Sequence, residues 1–124
     1  MSHTIKLSDD GAYIVVKIKG AITRQSAMKY AVEAHAFGKA HGVNRYLFDV
    51  TKARNIETVI GNYRLAYEDV ANSSNIDKQA RAVLLVSPDD HSHDFSETVH
   101  RNAGANVTLF RDRDQAVQYL MQGE

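Results

Sequence analysis

No cysteine occurs among the 124 residues, which excludes a disulfide scaffold, a thiol nucleophile and a cysteine-based zinc site, and is neutral about compartment. Nor is one sign of charge in excess. Fifteen Lys and Arg balance fifteen Asp and Glu, so no global field draws the chain toward nucleic acid or anionic lipid. No apolar run approaches the roughly 18 residues that a bilayer span needs, and the N-terminus lacks the basic, apolar and small-residue pattern of a signal peptide. A soluble, cytoplasmic protein without a membrane span is expected. Glycine-rich phosphate loops are missing: neither GxxxxGK[ST] nor GxGxxG occurs, so nucleotide binding of the usual kinds has no support. Internal repeats and low-complexity segments are absent as well. The only proline is Pro88.

What is present fits one domain, residues 1–124, long enough to bury a core without disulfides or structural metal. Residues 3–8 alternate polar with apolar, Asp10-Gly11 interrupts, and Ala12 to Lys19 alternates again, which predicts a β-hairpin ended by Gly20. In the second strand Ile14, Val16 and Ile18 share one face, and Tyr13, Val15, Lys17 and Lys19 the other. Thr23 is placed to cap a helix that runs to about His41, with Gly42 as its left-handed terminus. Ala27, Ala31, Ala34 and Gly38 form a small-residue stripe on it, suited to close approach to a sheet or to a second copy of the chain.

Tyr46, Leu47, Phe48 and Val50 give the near-continuous apolar run of a central strand. A second helix is expected from Asn55 or Thr58, with Val59, Tyr63, Ala66 and Val70 as its inner stripe, ending at Asn72 to Asn75. Ala82 to Val86 predicts another buried strand, stopped by Pro88. Asp94 with Glu97 reads as a capping box before a short helix whose inner face is Phe95, Val99 and Ala103. Asn106 to Phe110 reads as the last strand. Asp112 with Gln115 makes a second capping box, and Ala116, Val117, Leu120 and Met121 complete a terminal amphipathic helix. The expectation is an α/β fold: a mainly parallel five-stranded sheet with an N-terminal hairpin and four helices. Sites in such sheets gather beyond the carboxyl ends of the strands, here loops 51–57, 87–93 and 111–112.

The opening hairpin, the Leu47-Phe-Asp-Val50 strand with its helix, and the closing pattern Phe95-x-Glu97-Thr98, Asn102-x-Gly104, Val107-x-Leu109-Phe110, Ala116, Leu120 span nearly the whole chain. On them the chain resembles the SpoIIAA-like group of the STAS superfamily. The antagonist branch of that superfamily implies a Ser or Thr at a helix start, phosphorylated by a partner kinase. Its motif counts from an aspartate closing the strand to Asp-Ser-Ser-Gly. From Asp49 that register falls on Glu57 and Thr58, with Val59 and Ile60 where the motif has Ser and Gly. Other STAS-like domains imply small-molecule or lipid ligands.

The candidate regulatory or binding residues are therefore Asp49, Lys52, Arg54, Asn55, Glu57 and Thr58. Thr58 can accept a phosphate, which the positive end of a helix would stabilise, or it can simply cap that helix. Lys52 and Arg54 can hold an anion beside the helix start or lie as solvated surface charge. Asp49 can act as a base or bond to backbone amides where strand meets turn. His91 and His93, with Asp89, Asp90, Asp94 and His100, are the one cluster with metal-ligand chemistry, but their spacing matches no zinc signature. Tyr63 and Tyr67, with Tyr30 and Phe37, belong to the core or line a ligand cavity. No catalytic constellation and no cofactor motif emerges. The reading is a non-enzymatic regulatory or protein-interaction module acting through residues 51–64. Its partner would be a protein such as a regulator or kinase, and the Ala/Gly stripe and the outer face of the hairpin also suit a homodimer. The alternative is a domain binding a small molecule or lipid between helices and sheet.

Overall fold

A computed structural model describes residues 2–122. Its elements run β1 (Ser2–Leu7), β2 (Ile14–Ile22), α1 (Arg24–His41), β3 (Arg45–Asn55), α2 (Val59–Arg64) continuing as a π-helix (Leu65–Val70), β4 (Arg81–Leu85), α3 (Asp94–Asn102), β5 (Val107–Phe110) and α4 (Arg113–Leu120). The five strands lie side by side in chain order. β1 is antiparallel to β2, and β2 to β5 are mutually parallel. Right-handed crossovers between sequential neighbours all return over the same face. Hence α1, α2 with its π-helix, and α3 share one side of the sheet, and α4, which follows the last strand, takes the other.

Each side has its own core. Ile14, Val16, Ile18, Tyr46, Val50 and Ala53 pack beneath α1, whereas Val15, Leu47, Val83 and Leu85 pack against Ala116 and Leu120 of α4. The face of β2 that carries Val15 is thus covered at its start and solvated where Lys17 and Lys19 follow. Each fully buried aliphatic side chain contributes about 1.5–3 kcal/mol relative to exposure. The predicted helix limits hold for α1. Thr23 accepts from the Ser26 N–H, Ser26 returns the bond to the Thr23 N–H at 2.9 Å, and Gly42 ends the helix at φ 68°. The small-residue stripe faces the sheet at Ala34 and Gly38; a Cβ at Gly38 would meet the Val43 carbonyl at 2.6 Å and the Tyr46 ring.

Four expectations are corrected. β3 does not end at Val50 and β2 does not end at Gly20: the two strands pair onward through Gly20 opposite Ala53 and Ile22 opposite Asn55, so residues 51–55 are strand and not loop. In the second helix Val59 and Tyr63 are exposed, and Gly61, Asn62, Leu65 and Ala66 are buried. The buried stripe keeps the helical spacing but runs through Gly61, Asn62, Leu65 and Ala66, two of them a glycine and a polar side chain that an apolar pattern passes over. Tyr63 and Tyr67 accordingly stack on each other outside the core, with ring centroids 4.5 Å apart. Finally, Asp94 and Glu97 make no capping box: His93 precedes α3 without a side-chain cap, and the Glu97 carboxylate instead accepts the Leu109 N–H at 2.6 Å, tying α3 to β5. Phe95 is also turned outward. Asp112 does cap α4, accepting the Gln115 N–H at 2.9 Å.

Candidate functional site

Beyond the end of β4, the free side of β3 has no strand to pair with. Side chains of loop 87–93 replace one. The Ser87 hydroxyl donates to the Thr51 carbonyl at 2.6 Å, the Asn55 N–H donates to Ser92 Oγ at 3.0 Å, and His93 Nε2 bonds to the Ala53 carbonyl at 3.1 Å. Buried backbone groups need such partners, so the loop is what lets β3 run five residues past Val50. A bulge accompanies the extension. Lys17 faces Asp49 and Lys19 faces Lys52, which leaves Val50 and Thr51 opposite Ile18 alone. The extra residue returns Ala53 to the core and turns Lys52 and Arg54 to the α4 side of the sheet.

The strand then enters α2 through a closed set of hydrogen bonds. Thr58 caps the helix, its hydroxyl accepting the Gly61 N–H at 2.9 Å. Asn55 accepts the Glu57 N–H at 2.9 Å and donates to Asn62, whose own amide donates to the carbonyls of Glu57 and Thr58. Glu57 reaches back to α1, accepting the Arg24 N–H at 2.6 Å and the Thr58 N–H at 3.0 Å, and these two bonds hold its carboxyl below the ordinary range. A Cβ at Gly61 would collide with that carboxylate. Arg24 also clamps the π-helix through a two-pronged pair with Asp69 at 2.6 and 2.9 Å, which depresses the Asp69 pKa. The turn is therefore rigid, and its outward side is apolar: Ile56, Val59, Ile60 and Tyr63 are 60%, 67%, 64% and 51% exposed.

The six residues singled out in the sequence divide into two groups. Asn55, Glu57 and Thr58 belong to this closed turn. Asp49, Lys52 and Arg54 lie on the other side of the sheet, where Asp49 accepts from the Thr51 N–H and hydroxyl and from Arg113 at 2.8 Å, and Arg54 lies 3.4 Å from Asp90. Arg24, Asn62 and Asp69 carry no motif and were not legible. The histidine loop also separates. His93 is buried beside Asp90 at 3.3 Å, whereas His91 is exposed against Asp94 and Arg111. Burial alone would raise Asp90, but hydrogen bonds from Ser92 and the charges of His93 and Arg54 bring it below its ordinary value. Among the described residues no three His, Asp or Glu side chains converge as a metal site would require, and no helix is long and apolar enough to cross a membrane.

Between the sheet and its three-helix side lies a cavity of about 230 Å³. Ile18, Tyr30, Phe48, Leu65, Ala66 and His100 are among the residues that bound it. Burial lowers the pKa of His100.

No protein-family model and no curated protein matches this sequence. Among solved structures, the chain is similar to an uncharacterized protein of the DUF3478 family with a SpoIIAA-like fold from Shewanella loihica PV-4. The identity is 17%, the TM-score 0.51, and 96% of this chain and 92% of that one are covered. An antisigma-factor antagonist STAS domain from Rhodobacter sphaeroides aligns over 93% and 89% at 18% identity, but at a TM-score of 0.30 that superposition is too loose to bear on this chain. The fold is SpoIIAA-like.

Proposed function

We propose that this SpoIIAA-like domain is a non-enzymatic, regulatory interaction module that docks a protein partner through the outward side of residues 56–67. The observation that carries the reading is the apolar stripe of Ile56, Val59, Ile60 and Tyr63, each more than half exposed. Clustered exposed apolar side chains on a monomer surface mark interaction sites. Here they stand on a turn held fixed by Glu57, Asn62 and Thr58, so little ordering entropy is lost on docking. In this reading Thr58 is a cap, because its hydroxyl already accepts the Gly61 N–H and lies 3.4 Å from the Glu57 carboxylate, where a phosphate would meet like charge. The test is a photo-crosslinker placed at Ile60, with Lys39 on α1 as control. A discrete adduct from Ile60 that disappears with Val59→Asp is expected; adducts common to both positions would refute the docking surface.

The cavity favours a second reading, a small apolar ligand between helices and sheet. Its 230 Å³ exceeds the roughly 150 Å³ of an engineered cavity that binds benzene. Native mass spectrometry of protein from the source cell would show a bound mass that Ala66→Leu removes. An unliganded mass for both proteins would set this reading aside.

A further inference from the structure

On the α4 side, the helix packs over β3, β4 and β5 and leaves β1 and the second half of β2 open. The side chains turned to that opening are Ser2, Thr4 and Lys6 from β1, because their alternates His3, Ile5 and Leu7 lie toward α1. Lys17 and Lys19 from β2 join them, and the β3 bulge adds Lys52. All four lysines are exposed, and among the described residues none of them is ion-paired. The one acid facing this way from β1 to β3, Asp49, is neutralised by Arg113. A chain with no net charge thus gathers a basic field on one patch. Neighbouring strands are about 4.8 Å apart, well inside the ~8–10 Å screening length, so these charges act together.

We propose that this open half-sheet docks an acidic, extended segment of a partner protein, added as a sixth strand along β1. Two further observations point to a strand. β1 is an edge strand paired only to β2, so its outer N–H and C=O groups can receive one. Opposite Lys17 and Lys19 the edge strand carries the short side chains Thr4 and Ser2, which floor a depression of about 280 Å³ lined by Lys17, Lys19 and Lys52 together with Thr51 and the Arg113-paired Asp49. Lysines that merely guard an edge stand on the edge strand itself. Here two of the four stand one strand further in, reachable over Ser2 and Thr4 by carboxylates at every second position of an added strand. A recessed floor of hydroxyls suits such a segment better than the flat plane of an anionic membrane. This surface is distinct from the apolar stripe of residues 56–67, and either can fail without the other.

The test uses the full chain and a fluorescent peptide alternating glutamate with valine, followed by anisotropy at several salt concentrations. Lys17→Glu with Lys19→Glu should weaken binding about tenfold, since several exposed charge pairs worth a few-fold each are reversed. The double variant should instead bind a peptide alternating lysine with valine. Both substitutions are at exposed positions, and Lys17→Gln with Lys19→Gln, giving an intermediate loss, separates charge from folding. Bound peptide should protect the amides of residues 2–7 from hydrogen exchange. Equal affinity for wild type and charge-reversed protein, binding without protection of β1, or preference for phosphatidylserine vesicles or an oligonucleotide over the peptide would each overturn the proposal.

Discussion

On one side of the sheet two polar clamps, Arg24 to Asp69 and Glu57 to the α1 start, tie α1 to α2 and its π-helix, and these with α3 border a partly open cavity. On the other, a single eight-residue helix packs tightly on Val15, Leu47, Val83 and Leu85, and the remaining strand surface is left to lysine. The difference follows from topology, since every crossover falls on one side and only the chain's last helix is free to cover the other. It teaches that the well-packed minor core supplies stability without room for a ligand. The crowded side has room for one between helices and sheet, and each side keeps an exposed surface, apolar at residues 56–63 and basic on the strands that α4 leaves open.

Five substitutions and a titration bear on this contrast. Leu120→Ala, at a fully buried site under α4, is expected to destabilise by about 3 kcal/mol, and Leu65→Ala, beside the existing cavity, by about 2. Urea midpoints at equal slope would measure both, and a reversed order would break the comparison. Enlarging a residue should separate the sides further. Ala116→Leu overpacks the α4 core at about 1–3 kcal/mol, while Ala66→Leu extends into the cavity and stays within about 0.5 kcal/mol of wild type by the same assay. Thr58→Ala should lower stability by about 1 kcal/mol through loss of the α2 cap.

The smallest effect is a pH dependence confined to the three-helix side. Burial lowers the pKa of both His35 and His100 from their ordinary value, with Asp77 opposing it only at His35. A group depressed in the folded state binds more protons when unfolded, so its contribution is present above the unfolded pKa of about 6.5 and is lost as pH falls through the folded value. Thermal midpoints should therefore rise from pH 5 to 7, and His100→Gln should flatten part of that slope. An unchanged slope would mean that His100 is solvated in the folded protein.

Elements whose causes lie within a few residues were legible in the sequence. Asp10-Gly11 marks the hairpin, Thr23 and Gly42 bound α1, and the apolar runs locate the two central parallel strands. The extension of β3 was not legible, because Ser87, Ser92 and His93, which satisfy its backbone, come from more than thirty residues later. Nor was the burial of His93 and Asp90, since a run of His, Asp and Ser reads as solvated until its partners are seen. The inward face of α2 is not legible from apolar spacing because two of its buried positions are Gly61 and Asn62, while the apolar Val59, Ile60 and Tyr63 face out. Residues 51–64 form a strand-to-helix junction in which Asn55, Glu57 and Thr58 hold the turn, whereas Lys52 and Arg54 lie on the other side of the sheet.

The most direct measurement is the affinity of the crosslinked partner for wild type, for Thr58→Ala and for Val59→Asp with Ile60→Asp, by calorimetry. The aspartate pair should weaken binding at least about a hundredfold, as expected for two central apolar contacts worth about 2 kcal/mol each, and Thr58→Ala should leave affinity within a few-fold. Undiminished affinity for the aspartate pair, with loss confined to Thr58→Ala, would contradict docking through the apolar stripe.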